Sequence, residues 1–341
     1  MLRTTFLIII LISTGLITQG KKIISLTGEN FKKPIIRVDD RQFYIIDPSL
    51  VKGVIYDRSN LKKVAQFGGY GQGPGEMTYI HNVTLNDKYI YVSDFTKLCI
   101  FSKQGRLIKE LKGPFRTTNY IPFGDNFVGT HYLPGDHYAI KSKIQFSLFD
   151  GNLKKKKDLF VTEIHNAVTF TKGKDLVYWF RDCFEAFINK NNLVVGTTEK
   201  GFYFAVFNLN GDKLYDIIRD EKKRKVTEKE KKGIIDNFSL SMGKEKWNQY
   251  KATKEIIFAD YYPAYHGFFV KDDKIYVFLY PQFGVIEIMI LDLKGNLLKR
   301  SYLFVLAIGA EMKYIDIFKG KLYNVIENNE EWELNEIDIL P

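Results

Sequence analysis

The chain has 341 residues, of which 45% are hydrophobic and 26% are charged, and its formal net charge is +10 at pH 7. That length is large for one ordinary globular domain. We expect no nucleic-acid partner, because no RNP-like, zinc-finger or helix-turn-helix pattern accompanies the basic charge. The two cysteines, Cys99 and Cys183, lie in separate strand-like segments, which predicts free thiols and no disulfide framework.

Residues 1–20 have the pattern of a secretory signal peptide. Arg3 supplies the positive start, Phe6–Ile17 forms an apolar core that is short for a membrane span, and Thr18 and Gly20 are small residues near the cleavage point. We therefore expect an exported protein, periplasmic or extracellular, without a stable membrane span after cleavage. The alternative is that the segment is retained as an anchor.

A four-strand unit recurs six times in residues 21–341. In each unit a short polar turn precedes an apolar strand in fixed register, and Asn, Asp and Gly tolerate the positive φ that tight hairpins need. The six turns are Asp39–Arg41, Asn86–Lys88, Gly124–Asn126, Lys190–Asn192, Lys271–Asp273 and Lys319–Lys321. A period of about 40–50 residues is typical of propeller blades. The sequence thus predicts an all-β fold, a six-bladed β-propeller; a β-sandwich of hairpins is the alternative.

The sixth unit ends with its third strand, Trp332–Leu340, so its fourth strand must come from elsewhere in the chain. Lys22–Leu26, directly after the leader, is the simplest source. Pairing of these two segments would close the ring with the N-terminal strand and remove an open sheet edge.

The long segments between units all join an outer strand to the next inner strand. They are Gly68–Thr78, Thr162–Asp182 and Arg219–Pro263, and the enlarged loop 132–137 belongs to the same side. We therefore expect one elaborated face, where functional loops gather.

The largest of these connectors, residues 219–263, is predicted to be a mainly helical insertion between blades four and five. Thr227 and Glu230 fit a capping box ahead of apolar residues, and a second helix is predicted over Lys244–Ile257.

The segment Gly68–Glu76 reads Gly-Gly-Tyr-Gly-Gln-Gly-Pro-Gly-Glu. It lacks the Gly-Lys-Ser/Thr ending of a phosphate loop. Its Gly-x-Gly-Pro-Gly-Glu stretch resembles one found between early blades of exported bacterial six-bladed propellers of the NHL-like and TolB-like group, although Met77 stands where that group usually has Phe. The resemblance covers the mature chain and implies the fold and export, but no activity. We expect Glu76 to clamp this loop.

Two histidines occupy the same position in different units. His81 and His266 each lie nine residues before an aligned apolar residue, and they begin the inner strands of blades two and five, which are opposite in a ring of six. We expect them to face each other across the channel mouth. With nearby aromatic and loop residues they form the predicted ligand-binding set: His81, His266, Tyr262, Tyr265, Tyr70 and Glu76.

Asp47, Asp94 and His131 end the second strands of blades one to three. Carboxylates with imidazole suit calcium or zinc, but short polar side chains also cap turns, which is the interpretation we favour. No Gly-x-Ser-x-Gly or His-Glu-x-x-His motif is present, and no catalytic residue is assigned.

The leading hypothesis is a non-catalytic exported propeller without a cofactor. It would bind a protein, peptide or glycan of the cell envelope on its elaborated face. The alternative is a metal-dependent hydrolase or lyase at the channel mouth.

Overall fold

The computed structural model describes residues 17–18, 20–114, 117–133, 139–282, 284–304 and 312–339. These residues form an all-β architecture dominated by antiparallel four-stranded sheets, which confirms that part of the prediction. The first sheet contains β3 (Ile35–Val38), β4 (Gln42–Asp47), β5 (Lys52–Asp57) and β6 (Lys63–Phe67). The second contains β7 (Asn82–Leu85), β8 (Tyr89–Ser93), β9 (Lys97–Ser102) and β10 (Leu107–Lys112). The third contains β11 (Thr117–Phe123), β12 (Asn126–Tyr132), β13 (Lys141–Phe149) and β14 (Lys155–His165).

The remaining large sheets follow the same plan. The fourth contains β17 (Phe184–Asn189), β18 (Asn192–Thr197), β19 (Phe202–Phe207) and β20 (Lys213–Arg219). The fifth contains β22 (Gly267–Lys271), β23 (Lys274–Phe278), β24 (Val285–Asp292) and β25 (Leu297–Phe304), with β1 (Ile17–Thr18) parallel to β25. The sixth contains β26 (Ile315–Phe318), β27 (Lys321–Asn328), β28 (Glu331–Asp338) and β2 (Lys21–Ser25).

Burial falls from the inner strands of a sheet to its outermost strand. In the fourth sheet every residue of β19 is buried, whereas most residues of β20 are exposed. A strand covered on both faces needs apolar residues at successive positions, which accounts for the Phe-Tyr-Phe-Ala-Val-Phe run of β19. The core therefore lies between neighbouring sheets.

The first strands of the six sheets contact one another in cyclic order. β3 contacts β7, β7 contacts β11, β11 contacts β17, β17 contacts β22, β22 contacts β26, and β26 contacts β3 again. These strands surround a central space, which is described below.

The start of the chain contributes to the last sheet. Lys21 lies opposite Glu336 and Ile24 lies opposite Leu334, in an antiparallel pairing of β2 with β28. The paired segment begins and ends one residue earlier than the strand predicted over Lys22–Leu26.

The connector between the fourth and fifth sheets contains two helices, α1 (Glu228–Met242) and α2 (Lys244–Thr253). Both arms of the predicted capping box between Thr227 and Glu230 are present. The second helix was predicted to reach Ile257, which is wrong, because Lys254–Ile257 forms a strand, β21. Apolar residues of this strand pair with another connector, and that pairing ends the helix.

β21 belongs to a small accessory sheet with β15 (Val168–Thr169) and β16 (Asp175–Tyr178). β16 and β21 pair in parallel, which joins the connector after the third sheet to the connector after the fourth. Neither α1 nor α2 has a buried residue, so this part of the molecule projects from the sheets.

Cys99 is buried, Cys183 is half-buried, and both are free thiols, as predicted. The connector expected from Thr162 starts later, because β14 extends to His165. Residues 134–137 of the loop 132–137 lie outside the described residues. Within the described part of the chain, no helix has the length and apolar character required to cross a membrane.

Candidate functional site

Two cavities are candidates for a site. The first, the channel cavity, has a volume of about 700 Å³ and is lined by residues from the first strands of all six large sheets. The second, the connector cavity, has a volume of about 890 Å³. Both volumes are within the range of small-molecule sites.

Charged side chains in the channel cavity interrupt otherwise apolar inner strands. Arg37 donates to the carbonyl of Val83 in the neighbouring sheet through Nε at 3.0 Å. The carboxylate of Asp316 accepts from the backbone N–H of Val38 at 2.8 Å. These two side chains therefore bind one inner strand to the next.

Glu185 also lines the channel cavity, and its ionisation is perturbed. Burial raises the pKa of its carboxyl to about 7, although an N–H group of Phe268 and the charge of Arg37 act in the opposite direction. The side chain is half-buried by exposed area, because one side of it faces the cavity. It is thus a group that changes charge near neutral pH.

The connector cavity is formed by the long connectors and by loops that join second to third strands. Phe180 and Asp182 come from the connector after the third sheet, whereas Arg219–Arg224, Ala259 and Tyr261–Ala264 come from the connector after the fourth. Thr198–Phe202, Leu279, Tyr280 and Gln282 contribute the loops. The cavity therefore lies among the segments from which the elaborated face was predicted.

One wall of the connector cavity is an aromatic cluster. The ring of Phe180 lies 4.4 Å from that of Tyr262 and 5.5 Å from that of Tyr280. The guanidinium of Arg224 lies 4.0 Å from the centre of the Tyr262 ring. Arg224 also donates to the carbonyls of Tyr280 and Pro281 and to the carboxylate of Glu230. It thereby fixes the start of α1 and Tyr262 against the fifth sheet.

A polar pair lies on another wall of the same cavity. Nδ1 of His165 lies 3.2 Å from Oδ2 of Asp182. The hydroxyl of Thr198 donates to the other carboxylate oxygen of Asp182 at 3.3 Å. Because its carboxylate is held on both sides, Asp182 fixes the orientation of the imidazole.

The six predicted ligand residues do not meet in one site. Tyr262 lines the connector cavity and His81 lines the channel cavity. Tyr70, His266, Tyr265 and Glu76 lie outside both linings. The two cavities are separate, so the expected set is divided between different parts of the molecule.

The two histidines do occupy equivalent positions. The backbone N–H of His81 donates to the carbonyl of Ser93, and that of His266 donates to the carbonyl of Phe278, each at 2.8 Å and each just before an inner strand. Burial lowers the pKa of both imidazoles. His81 is stacked on Phe95, with ring centres 4.7 Å apart.

Tyr265 requires a correction. Its side chain is fully buried, and its hydroxyl donates to the carbonyl of Tyr203 at 3.2 Å. The ring lies parallel to that of Phe204 inside the core between the fourth and fifth sheets. Tyr265 therefore supports the core and does not present a surface to a ligand.

Tyr70 and Glu76 belong to the glycine-rich connector. Tyr70 is 75% exposed. Oε2 of Glu76 accepts from the backbone N–H of Gly73 at 2.9 Å, and Met77 pairs with Gly69 and Gly71 through its backbone. Glu76 therefore closes its own loop, in the way that a clamping residue does.

The candidate metal ligands cap turns or pair elsewhere. Asp47 accepts from the N–H groups of Ser49 and Lys33, and Asp94 accepts from those of Thr96 and Lys97. Nε2 of His131 lies 2.7 Å from Oε1 of Gln145. Among the described residues, no three His, Cys, Asp or Glu side chains are grouped so that they could hold a metal ion.

Sequence reasoning missed Arg37, Glu185, Asp316, His165 and Asp182. The first three could have been found from the sequence, because each is a charged residue within a short apolar strand. The repeat assigns that strand to the innermost position of its sheet. The last two carried no such signal, because they are 17 residues apart, near opposite ends of the connector between the third and fourth sheets, and only the folding of that connector brings them together.

The known proteins that this chain resembles are similar to it in structure and differ from it in most of their sequence. No protein-family model matches the chain, and no curated protein matches it significantly. A solved structure described as a "putative exported protein" from Bacteroides fragilis is similar at a TM-score of 0.56 and 12% identity, with 95% of each chain covered. The WD40 domain of Neurospora crassa Pan2 is similar at 0.44 and 10% identity, covering 93% of this chain and 95% of that one. BamB from Moraxella catarrhalis reaches 0.30 at 12% identity, covering 88% and 71%. At 12% identity the likeness to the Bacteroides fragilis structure concerns the fold alone.

Proposed function

We propose that this chain is an exported six-bladed β-propeller, closed by its N-terminal strand, that binds a ligand or protein without catalysis. The ligand would bind on the face that carries the long connectors.

The cyclic contacts of the six first strands support the proposed ring of blades. The pairing of β2 with β28 supports closure by the start of the chain, because it supplies the fourth strand that the sixth sheet otherwise lacks. The accessory sheet then belongs to the insertions and is not a blade. Export is supported by the signal-like pattern of residues 1–20 and by the description of the Bacteroides fragilis neighbour.

The observation that carries the proposed function is the position of the connector cavity. A cavity of about 890 Å³ occurs where two of the long connectors meet, and an aromatic cluster with a positioned arginine forms one of its walls. Aromatic side chains together with polar groups that are fixed in orientation are a common feature of binding pockets. Because these walls offer a ligand fixed aromatic surfaces and oriented polar groups, binding is the activity we propose.

A thermal-shift screen of residues 21–341 against glycans and peptides would test the proposal. A ligand at a hundred times its dissociation constant stabilises a protein by about 2.7 kcal/mol. Tyr262→Ala should abolish the stabilisation while the far-ultraviolet circular dichroism is unchanged. Tyr70→Ala is the matched control, because Tyr70 is an exposed tyrosine outside both cavities. A ligand whose effect survives Tyr262→Ala would place the site elsewhere.

A further inference from the structure

The charges that line the connector cavity are balanced. Among its described lining residues, five are basic and five are acidic. The basic residues are Lys200, Arg219, Lys222, Lys223 and Arg224; the acidic residues are Asp182, Glu199, Asp220, Glu221 and Glu287. A site selective for a strongly charged polymer would show an excess of one sign. This lining instead provides many hydrogen-bond donors and acceptors with no net preference for an ion.

His165 is placed to make a directional hydrogen bond in this cavity. Its Nδ1 is engaged by Asp182, which makes Nδ1–H the donor in the neutral imidazole and leaves Nε2 as an acceptor. The side chain is 35% exposed, whereas that of Asp182 is 15% exposed. The carboxylate thus orients the ring from behind, and the open nitrogen can accept a hydrogen bond from a ligand hydroxyl.

The aromatic wall favours a ligand with apolar faces as well as hydroxyl groups. Tyr262 and Tyr280 are held with their ring centres 4.9 Å apart, and Tyr261 beside them is 47% exposed. Amphipathic rings that are fixed in place provide contact area with little loss of conformational entropy on binding. Sugar rings combine such apolar faces with a girdle of hydroxyl groups.

We propose that the connector cavity binds a neutral oligosaccharide, with His165 as a ligand contact and Asp182 as its positioning residue. This inference rests on the proposed function, since it names the ligand class for the same site. An acidic oligosaccharide or a peptide is an outcome of the test that would contradict it.

The experiment uses residues 21–341 and calorimetric titration with neutral probes: cellohexaose, chitohexaose, maltohexaose and a mannan-derived hexasaccharide. Oligogalacturonate and an unstructured peptide serve as contrasts. We expect at least one neutral probe to bind, and His165→Ala to weaken it by at least about tenfold, the equivalent of one lost hydrogen bond. His131→Ala is the matched control, because His131 also pairs with a polar side chain but lies outside both cavities.

The positioning role of Asp182 has its own readout. Asp182 acts on the ligand only through the imidazole that it orients, so Asp182→Ala should weaken binding in the parent protein. In a His165→Ala background the same substitution should weaken binding no further, because the group that it orients is already absent. A merely structural role of Asp182 would lower the affinity equally in both backgrounds.

Three results would overturn the inference in different ways. In the first, no neutral probe binds, but oligogalacturonate or the peptide binds and its binding is lost in Tyr262→Ala. The ligand class is then wrong, but the proposed binding site stands. The inference also fails if no probe binds. If a probe binds and its binding survives both Tyr262→Ala and His165→Ala, the inference and the proposed binding site fail together.

Discussion

Oδ2 of Asp316, in the first strand of the sixth sheet, accepts a hydrogen bond of 2.8 Å from the backbone N–H of Val38, in the first strand of the first sheet. The other oxygen of Asp316 accepts from the N–H of Ile317, and the side chain is 2% exposed. A single carboxylate therefore joins the last sheet to the first at the innermost position. This junction joins segments that are 278 residues apart in the chain.

Asp316→Ala should destabilise the protein by about 1.5–3 kcal/mol, the usual value for a hydrogen bond to a charged group, since Val38 would keep an unsatisfied buried N–H. Chemical denaturation monitored by tryptophan fluorescence would measure the loss. Asp40→Ala is the control at the same junction, where an exposed ion pair with Lys319 should contribute no more than about 1 kcal/mol. Equal effects of the two substitutions would contradict the role given to Asp316.

Gly71→Ala should also destabilise the protein. Gly71 has a φ of 155°, and a Cβ there would collide with the Glu76 carboxylate that closes the loop. We expect a loss of about 1–3 kcal/mol from backbone strain and from the displaced carboxylate. Gly233→Ala is the matched control, because no atom lies within 4 Å of its added Cβ on α1. That change should be neutral or stabilise the helix by up to about 1 kcal/mol. Thermal unfolding of both variants would decide.

Glu185 should make stability depend on pH in an unusual direction. Its folded-state pKa of about 7 is above the ordinary value of 4.5, so the folded protein holds a proton that the unfolded chain has released. Stability should therefore fall as the pH rises from 4.5 to about 7, and the full penalty should be present above that range.

Glu185→Gln should remove this dependence. The free energy of unfolding of the variant, minus that of the parent protein, should be larger at pH 8 than at pH 5 by about 1–3 kcal/mol. Water in the channel cavity reduces this difference. Denaturant unfolding at both pH values measures the difference. Glu331→Gln, at an exposed position, should show no such change. A difference of zero for Glu185→Gln would mean that the carboxyl is already ionised in the folded protein at pH 5.

Arg224→Ala should release the helical part of the connector without unfolding the sheets. Arg224 contacts the Tyr262 ring, the Glu230 carboxylate and two carbonyls in the loop between β23 and β24. The helices α1 and α2 have no buried residues of their own. Hydrogen exchange should quicken over 225–257 and stay slow in β18 and β19. Arg224→Lys, which keeps the charge but loses the planar fork, should have an intermediate effect. Faster exchange throughout the chain would contradict a local role.

Metal addition should not stabilise the protein through Asp47 or Asp94. Both oxygens of Asp47 and one oxygen of Asp94 already accept hydrogen bonds from backbone N–H groups. After treatment with a chelator, separate addition of calcium and of zinc should leave the melting temperature unchanged. A rise that is lost in Asp94→Asn would restore the metal-dependent alternative.

The sequence predicted the strands better than it predicted the site. Polar turns such as Asp272–Asp273 and buried runs such as Phe202–Phe207 are local signals, because backbone conformation and burial on two faces restrict the residues that fit. The capping box at Thr227 and Glu230 was equally local. The end of the second helix was not, since only the pairing with β16 turns Lys254–Ile257 into a strand.

The sequence by itself determined the repeated four-strand unit, the polar turns and the side of the molecule on which the long connectors lie, because each follows from the local order of residues. Only the tertiary structure decided which side chains share a cavity. It buried Tyr265, separated His81 from Tyr262, and brought His165 to Asp182 and Asp316 to Val38. These relationships depend on how whole sheets pack against one another. The local sequence pattern around each residue does not indicate which distant residue it will contact.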